Sequence, residues 1–269
     1  MLQKLPLLAF AAILALAVPS TDPPPAGAPA VRAGTEILSA EEEYVYEVSW
    51  SMFKLGTIRL KAYPDLHAEA FVDSYEGVPM VDLHSIFYTV MDSGFFSVAS
   101  RSLEKKGDNW QGMEYRYDIP ARQLHLEETL QKDPASPPSS RSSKGVLSLP
   151  DTKFIDGLSI GFFPRRFVQA TQTVVVPTVL YGKMGKTTFW FTRNVVEEEI
   201  DALDHPVRVV EVEGTTDVEG IFGMTGDFTG YFSDDAVGVP IKGKLKVLIG
   251  TVTVELMKWN RKGWSPPAP

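Results

Sequence analysis

Two adjacent carboxylates, Asp234 and Asp235, are the first residues in this 269-residue chain that suggest chemistry. Paired-carboxylate catalysis needs two groups that face one bond from opposite sides. Neighbours in a strand or turn point apart, and Ala236-Val237-Gly238 follows as a turn. One of the two is therefore expected to cap that turn by accepting backbone N–H groups. His67, His84, His125 and His205 lack the H-x-x-x-H spacing of a metal site. Asp217, Asp227, Asp234 and Asp235 offer oxygen ligands for Ca²⁺, but the D-x-[DN]-x-[DN]-G loop is missing, so no metal and no cofactor are expected. Gly182-Lys183-Met184-Gly185-Lys186-Thr187 approaches a phosphate loop. Position 180 is leucine where the full motif has glycine, and strand-like runs flank the segment, so a hairpin turn is expected. No nucleophile elbow and no catalytic residue are expected.

The elements that must position these residues read mostly as strands. Tyr44, Tyr46, Val48 and Trp50 alternate with Val45, Glu47 and Ser49, a half-buried β pattern. Ile58, Leu60 and Ala62 alternate likewise after Gly56, so the two runs are expected to pair as a hairpin. His67 to Ser74 is a third strand. Leu83, Ile86, Phe87, Val90 and Met91 fall at helical spacing, which predicts a helix after Pro79 that ends at Asp92-Ser93-Gly94. Strands are expected over Phe95–Leu103, Asn109–Asp118, Gln123–Thr129, Thr173–Val179, Lys186–Thr192, Val195–Asp201 and Pro206–Glu213. Asp156–Phe167 suggests a second short helix. Lys242, Lys244 and Lys246 share one strand face, read as a solvated face that discourages edge pairing. Turn signals recur about every 8–12 residues, as in sandwiches and barrels.

Toward the C-terminus, Phe228, Gly230 and Phe232 share a face, Asp234-Asp235 supply the turn, and Val239-Pro240 open a strand. The apolar parity flips after Gly250, so a bulge or tight turn is expected there. Asp234, Asp235, Pro240 and Gly250 are thus assigned structural roles. The fold class expected is mainly β: an antiparallel meander forming an open or closed barrel, or a curled sheet, with one or two short helices packed on it.

Composition narrows the function. The chain is 44% hydrophobic and 22% charged, which is ordinary for a globular protein. Its net charge of −8 does not suit nucleic acid. It has no cysteine, which excludes disulfides, thiolate metal sites and bacterial lipidation. Lys4 precedes an apolar run from Leu5 to Val18 that is too short to span a bilayer, then small residues and prolines, which predicts a signal peptide over residues 1–20. Residues 21–40 are expected to be a disordered Pro/Ala-rich leader, 41–260 a single β domain with a flexible loop at 133–143, and 261–269 a disordered tail. The protein is expected to be periplasmic or otherwise extracytoplasmic, with no transmembrane anchor after cleavage.

The order of these motifs resembles the DUF3108 family of bacterial exported proteins, whose function is not established. The resemblance is carried by Tyr46-x-Val48-x-Trp50 with Gly56, Val90-Met91-Asp92-Ser93-Gly94-Phe95-Phe96, Asp156-Gly157-Leu158-Ser159, Gly226-x-Phe228 through Phe232-Ser233-Asp234-Asp235 to Val239-Pro240, and Ile249-Gly250-x-Val252. It spans about Tyr44 to Leu256. The chain departs from the family's pattern at Tyr231-Phe232, where a tryptophan-like aromatic is expected. The resemblance implies an exported, mainly antiparallel β domain and brings no catalytic residues.

Aromatic residues on alternating faces complete the reading. A sheet that curls with its apolar face concave holds an apolar ligand inside. Tyr46, Trp50, Phe87, Phe228 and Phe232 are the expected ligand-binding residues of that interior. The function expected is a non-enzymatic binding or carrier module for an apolar or lipid-like envelope component. One alternative is a structural or assembly factor that binds protein or glycan on a sheet face. Another is a hydrolase with a scattered Asp/His/Tyr site around Asp156, Asp234 or Asp235.

Overall fold

The computed structural model describes residues 31–78, 82–149, 152–180, 182–218, 226–247 and 250–269. Among the described residues, runs of β-branched and aromatic residues broken by turn residues give fifteen strands. The first half comprises β1 (Glu42–Trp50), β2 (Phe53–Ala62), β3 (His67–Ser74), β4 (His84–Met91), β5 (Ser97–Lys106), β6 (Asn109–Asp118), β7 (Gln123–Gln131) and β8 (Ser140–Ser148). Short β9 (Ile155–Asp156) then leads into two 3-10 turns, Ser159–Gly161 and Phe163–Arg166. The second half comprises β10 (Gln172–Leu180), β11 (Lys183–Glu198), β12 (Val207–Thr216), β13 (Gly226–Ser233), β14 (Pro240–Lys246) and β15 (Thr251–Arg261). A four-residue helix, α1 (Gly34–Ile37), precedes β1.

The strands form one sheet that runs from β8 back to β1, crosses to β15, and returns in order to β9. Every pairing is antiparallel except β9 with β10. The sheet therefore is the mainly antiparallel meander that the alternation predicted. It curls until its halves meet: Ser97 N of β5 donates to Phe154 O, beside β9, at 3.0 Å. Buried Leu124, Leu149, Phe154 and Val179 pack β7 against β10 across the same seam. β8 stays at the exposed edge, where Arg141, Lys144 and a register break opposite Leu126/Glu127 discourage further pairing.

A meander places alternate hairpins at opposite ends. At one end the two 3-10 turns lie inside the curl as a plug. Phe162, Phe163 and Phe167 pack there with Phe189 and Phe191 of β11, Val210 and Val212 of β12, and Leu66 and Phe95 from the β2–β3 and β4–β5 turns. Arg165 pins the plug. Its guanidinium is buried and forks onto Glu42 of β1, with Nη1–Oε1 at 2.5 Å and Nη2–Oε2 at 3.1 Å. Arg261 of β15 and the Tyr44 hydroxyl donate to the same carboxylate. Burial alone would lower the Arg165 pKa, but the Glu42 charge raises it overall.

Several expectations need correction. The segment expected as a helix around Leu83–Met91 is strand β4, between β3 and β5. Ile86 is buried on one face while Phe87 faces the interior on the other, so apolar residues occupy both sides and mimic a helical stripe. Asp92 instead closes a turn, accepting from Gly94 N and Phe96 N. Pro79, the expected helix start, lies outside the described residues. Asp156–Phe167 is a short strand and two 3-10 turns, because Gly157, Gly161 and Pro164 break any longer helix.

The loop expected at 133–143 becomes strand β8 from Ser140 onward. Lys186–Thr192 and Val195–Asp201 are one strand, β11, with a break at Phe191/Asn194. Lys242 and Lys244 pair with Glu198, and β14 is interior rather than an edge. The leader expected to run to residue 40 is docked from residue 32 onward. Ile37 and Leu38 are fully buried, and Gly34 N donates to Ser93 O at 2.7 Å. Residues 1–20, expected as a signal peptide, lie outside the described residues. The tail is packed too: Trp264 stacks edge-on against Tyr44, and its Nε1 donates to Asp235 Oδ2 at 2.8 Å.

Candidate functional site

Between the plug and the opposite end of the curl lies a cavity of about 410 Å³, neither sealed nor a surface groove. Its wall is built by inward positions of both halves of the sheet. Ile58, Ala70, Val72 and Phe87 come from β2–β4; Phe189, Phe228, Phe232, Leu245 and Val254 come from β11 and β13–β15. Leu158, Ile160 and Pro164 of the plug form its floor. Gly230 and Gly243 are cross-strand partners on this wall. A Cβ added at Gly243 would meet nothing within 4 Å. Gly243 therefore leaves the wall bare and widens the cavity, whereas the Phe232 ring covers the Cβ position of Gly230.

Several polar groups also reach the cavity wall, among them Arg101, whose Nη2 donates to Gln131 Oε1 at 2.7 Å while its Nε is buried without an acceptor. The Tyr117 hydroxyl and Ser100 Oγ are 2.7 Å apart. Burial pushes the Tyr115 phenol up to about 12 and the Tyr117 phenol well above its ordinary value, with the nearby Asp156 carboxylate adding to both. Both rings thus stay neutral. Asp156 accepts from Thr89 Oγ1 at 2.6 Å, Ser159 N at 2.8 Å and Leu158 N at 3.0 Å. Its oxygens hold the seam together and are not free for a substrate.

Of the expected ligand-binding residues, Phe87, Phe228 and Phe232 line the cavity. Tyr46 does not. It sits in a second cluster with Tyr44, Val239, Ile241 and Leu256, and its hydroxyl donates to Pro240 O at 3.1 Å. Trp50 does not either. It lies at the far end of β1, 38% exposed, its ring tilted against that of Phe53. Met52, Phe53 and Tyr75 are exposed at the same unplugged end. The structural assignments fit the geometry: Asp235 Oδ1 accepts from Val237 N and Gly238 N, Pro240 opens β14, and Gly250 (φ 85°) turns the chain into β15.

Sequence reasoning missed one motif. Gly157-Leu158-Ser159-Ile160-Gly161 spells G-x-S-x-G, the pattern of a nucleophile elbow. An elbow serine stands exposed above its sheet beside a histidine. Ser159 is fully buried, its Oγ 3.0 Å from Ser97 Oγ and accepting Asp156 N at 2.7 Å. Ser159 is a structural residue of the seam. The histidines lie elsewhere: His67 beside Asp65, His84 beside Asp73, and His205 on Pro206 O. None of the four lines the cavity. Among the described residues no group of three or more His, Asp or Glu side chains could hold a metal ion.

A family model described as a protein of unknown function (DUF3108) matches residues 45–257, most of the chain. No curated protein matches. Among solved structures, the chain is similar to a beta-barrel-like protein of domain of unknown function DUF1849 from Brucella abortus. That match has 7% identity and a TM-score of 0.35, and covers 82% of this chain and 97% of the other. At that score the likeness carries no argument about function.

Proposed function

The chain belongs to the DUF3108 family, and from that premise we propose that it is a non-enzymatic binding or carrier module for an apolar or lipid-like component. The observation that carries this reading is the apolar cavity above the plug. Its volume of about 410 Å³ falls in the roughly 300–1,000 Å³ range of small-molecule sites. Its lining aromatics offer a large apolar contact area, Ser100 and Tyr117 satisfy each other, and the two charged groups at the wall, Arg101 and Asp156, are engaged by Gln131 and by Thr89, Leu158 and Ser159. A single-chain amphiphile suits this space better than a polar or charged solute. The signal-like sequence at residues 1–20 supports action outside the cytoplasm, in the periplasm or beyond.

The reading is tested by binding an apolar fluorescent probe to the full chain and displacing it with a single-chain amphiphile. Saturable, one-to-one displacement that is lost in Gly243→Leu is the expected result. Absence of probe binding, or binding indifferent to position 243, would overturn it.

A further inference from the structure

The plugged end of the molecule carries a second, polar basin of about 630 Å³, lined by Arg32, Gln169, Arg193, Arg208, Asp234 and Asp235. Three guanidinium groups meet here against Asp234 and Asp235, with the exposed Glu36 carboxylate 3.8 Å from Arg32 Nε. Asp235 is committed to the turn and to Trp264. Asp234 accepts from Arg208 Nε at 2.7 Å, from Gln169 Nε2 at 3.3 Å, and pairs with Arg193 Nη2 at 2.8 Å. After these contacts, Nη1 of Arg32 and Nη1 of Arg193 are both shut off from solvent without an acceptor. An unpaired buried donor on a charged group is costly, so each of these atoms asks for a partner, and both belong to residues of this basin.

The backbone points the same way. Arg193 adopts φ 59° at the break in β11. A non-glycine residue is strained in such a conformation, and such residues concentrate at ligand sites. The three arginines reach the basin from the segment before α1, from β11 and from β12. A planar carboxylate is served by one guanidinium fork, whereas donors from several directions suit a tetrahedral acceptor.

We propose that this basin binds a phosphate group, with Arg193 and Arg32 as its principal donors and Arg208 completing the charge. The phosphate is either free in solution or the headgroup ester of a lipid. Arg208, with its side chain half exposed, turns from Asp234 toward the bound group.

Calorimetric titration of the full chain with inorganic phosphate, and co-sedimentation with phosphatidylglycerol vesicles against vesicles of an uncharged glycolipid, test the proposal. Arg193→Gly and Arg32→Gln are the variants. Glycine suits the left-handed backbone at 193, and Asp234 keeps Arg208 and Gln169 when its pair with Arg193 is lost, so an unchanged melting temperature checks that the fold is intact. Each variant is expected to weaken binding about tenfold or more. Saturation by inorganic phosphate identifies a free anion. Binding to the anionic vesicles alone, released by Arg193→Gly, identifies a headgroup. Failure of both ligands to bind, or a variant that binds like the parent chain, overturns the site.

Discussion

At the scale of residues, the cavity depends on what two strands leave out. Gly230 and Gly243 face each other across β13 and β14, and open space lies beyond Gly243. Gly243→Leu should extend an apolar side chain into that space and change stability by less than about 1.5 kcal/mol, because a Cβ there meets nothing within 4 Å and the cavity lies beyond it. Chemical denaturation checks this. The cavity tyrosines set a pH limit. The folded-state pKa of Tyr115, about 12, lies above its ordinary value of 10.0, so the fold favours the neutral phenol. Its contribution is fully present below about pH 10 and is lost as pH rises through about 12. At about 1.4 kcal/mol per unit, at most about 2–3 kcal/mol is at stake for Tyr115. Alkaline melts should show the decline in that window, and Tyr115→Phe should reduce it. Phe87, Phe228 and Phe232 were legible from sequence as interior residues, Phe228 and Phe232 because strict alternation fixes a strand's face. Tyr46 was not, because alternation says which face a residue joins and not how far along the strand the plug ends.

At the scale of elements, the plug depends on Glu42. Three donors converge on its carboxylate: Arg165, Arg261 and the Tyr44 hydroxyl. Glu42→Ala would leave two guanidiniums without their partner at a buried site, and a loss of about 3–5 kcal/mol is expected in equilibrium unfolding. Replacing a surface acid such as Glu36, 61% exposed, should change stability by less than about 0.5 kcal/mol. The plug's location was not readable in advance. Its segment lacks both strand alternation and a helical stripe, so local periodicity was silent where tertiary packing decided. β4 failed for the opposite reason. Its apolar residues lie on both faces, and a two-sided strand of eight residues matches a helical stripe by count.

At the scale of the whole molecule, the question is what makes a meander curl and stay curled. The sheet's two halves meet at β9, where Asp156 gathers Thr89 Oγ1 and the backbone N–H groups of Leu158 and Ser159. Asp156→Ala should strand those donors and cost about 2–3 kcal/mol, with faster hydrogen exchange at the Leu158 and Ser159 amides. Sequence gave no sign of this seam, because its partners lie 67 positions apart and only the closed sheet brings them together. The meander itself was legible, since strand-length alternation and regular turns leave few other folds for the chain.

That curl, plugged at one end and bare inside, underlies the proposed role in carrying an apolar ligand. Native mass spectrometry of the full chain, released gently from the cells that make it, tests that claim most directly. A non-covalent apolar adduct on the parent chain, missing from Gly243→Leu, is the expected result. A parent chain that flies bare, or an adduct that persists unchanged in Gly243→Leu, would contradict it.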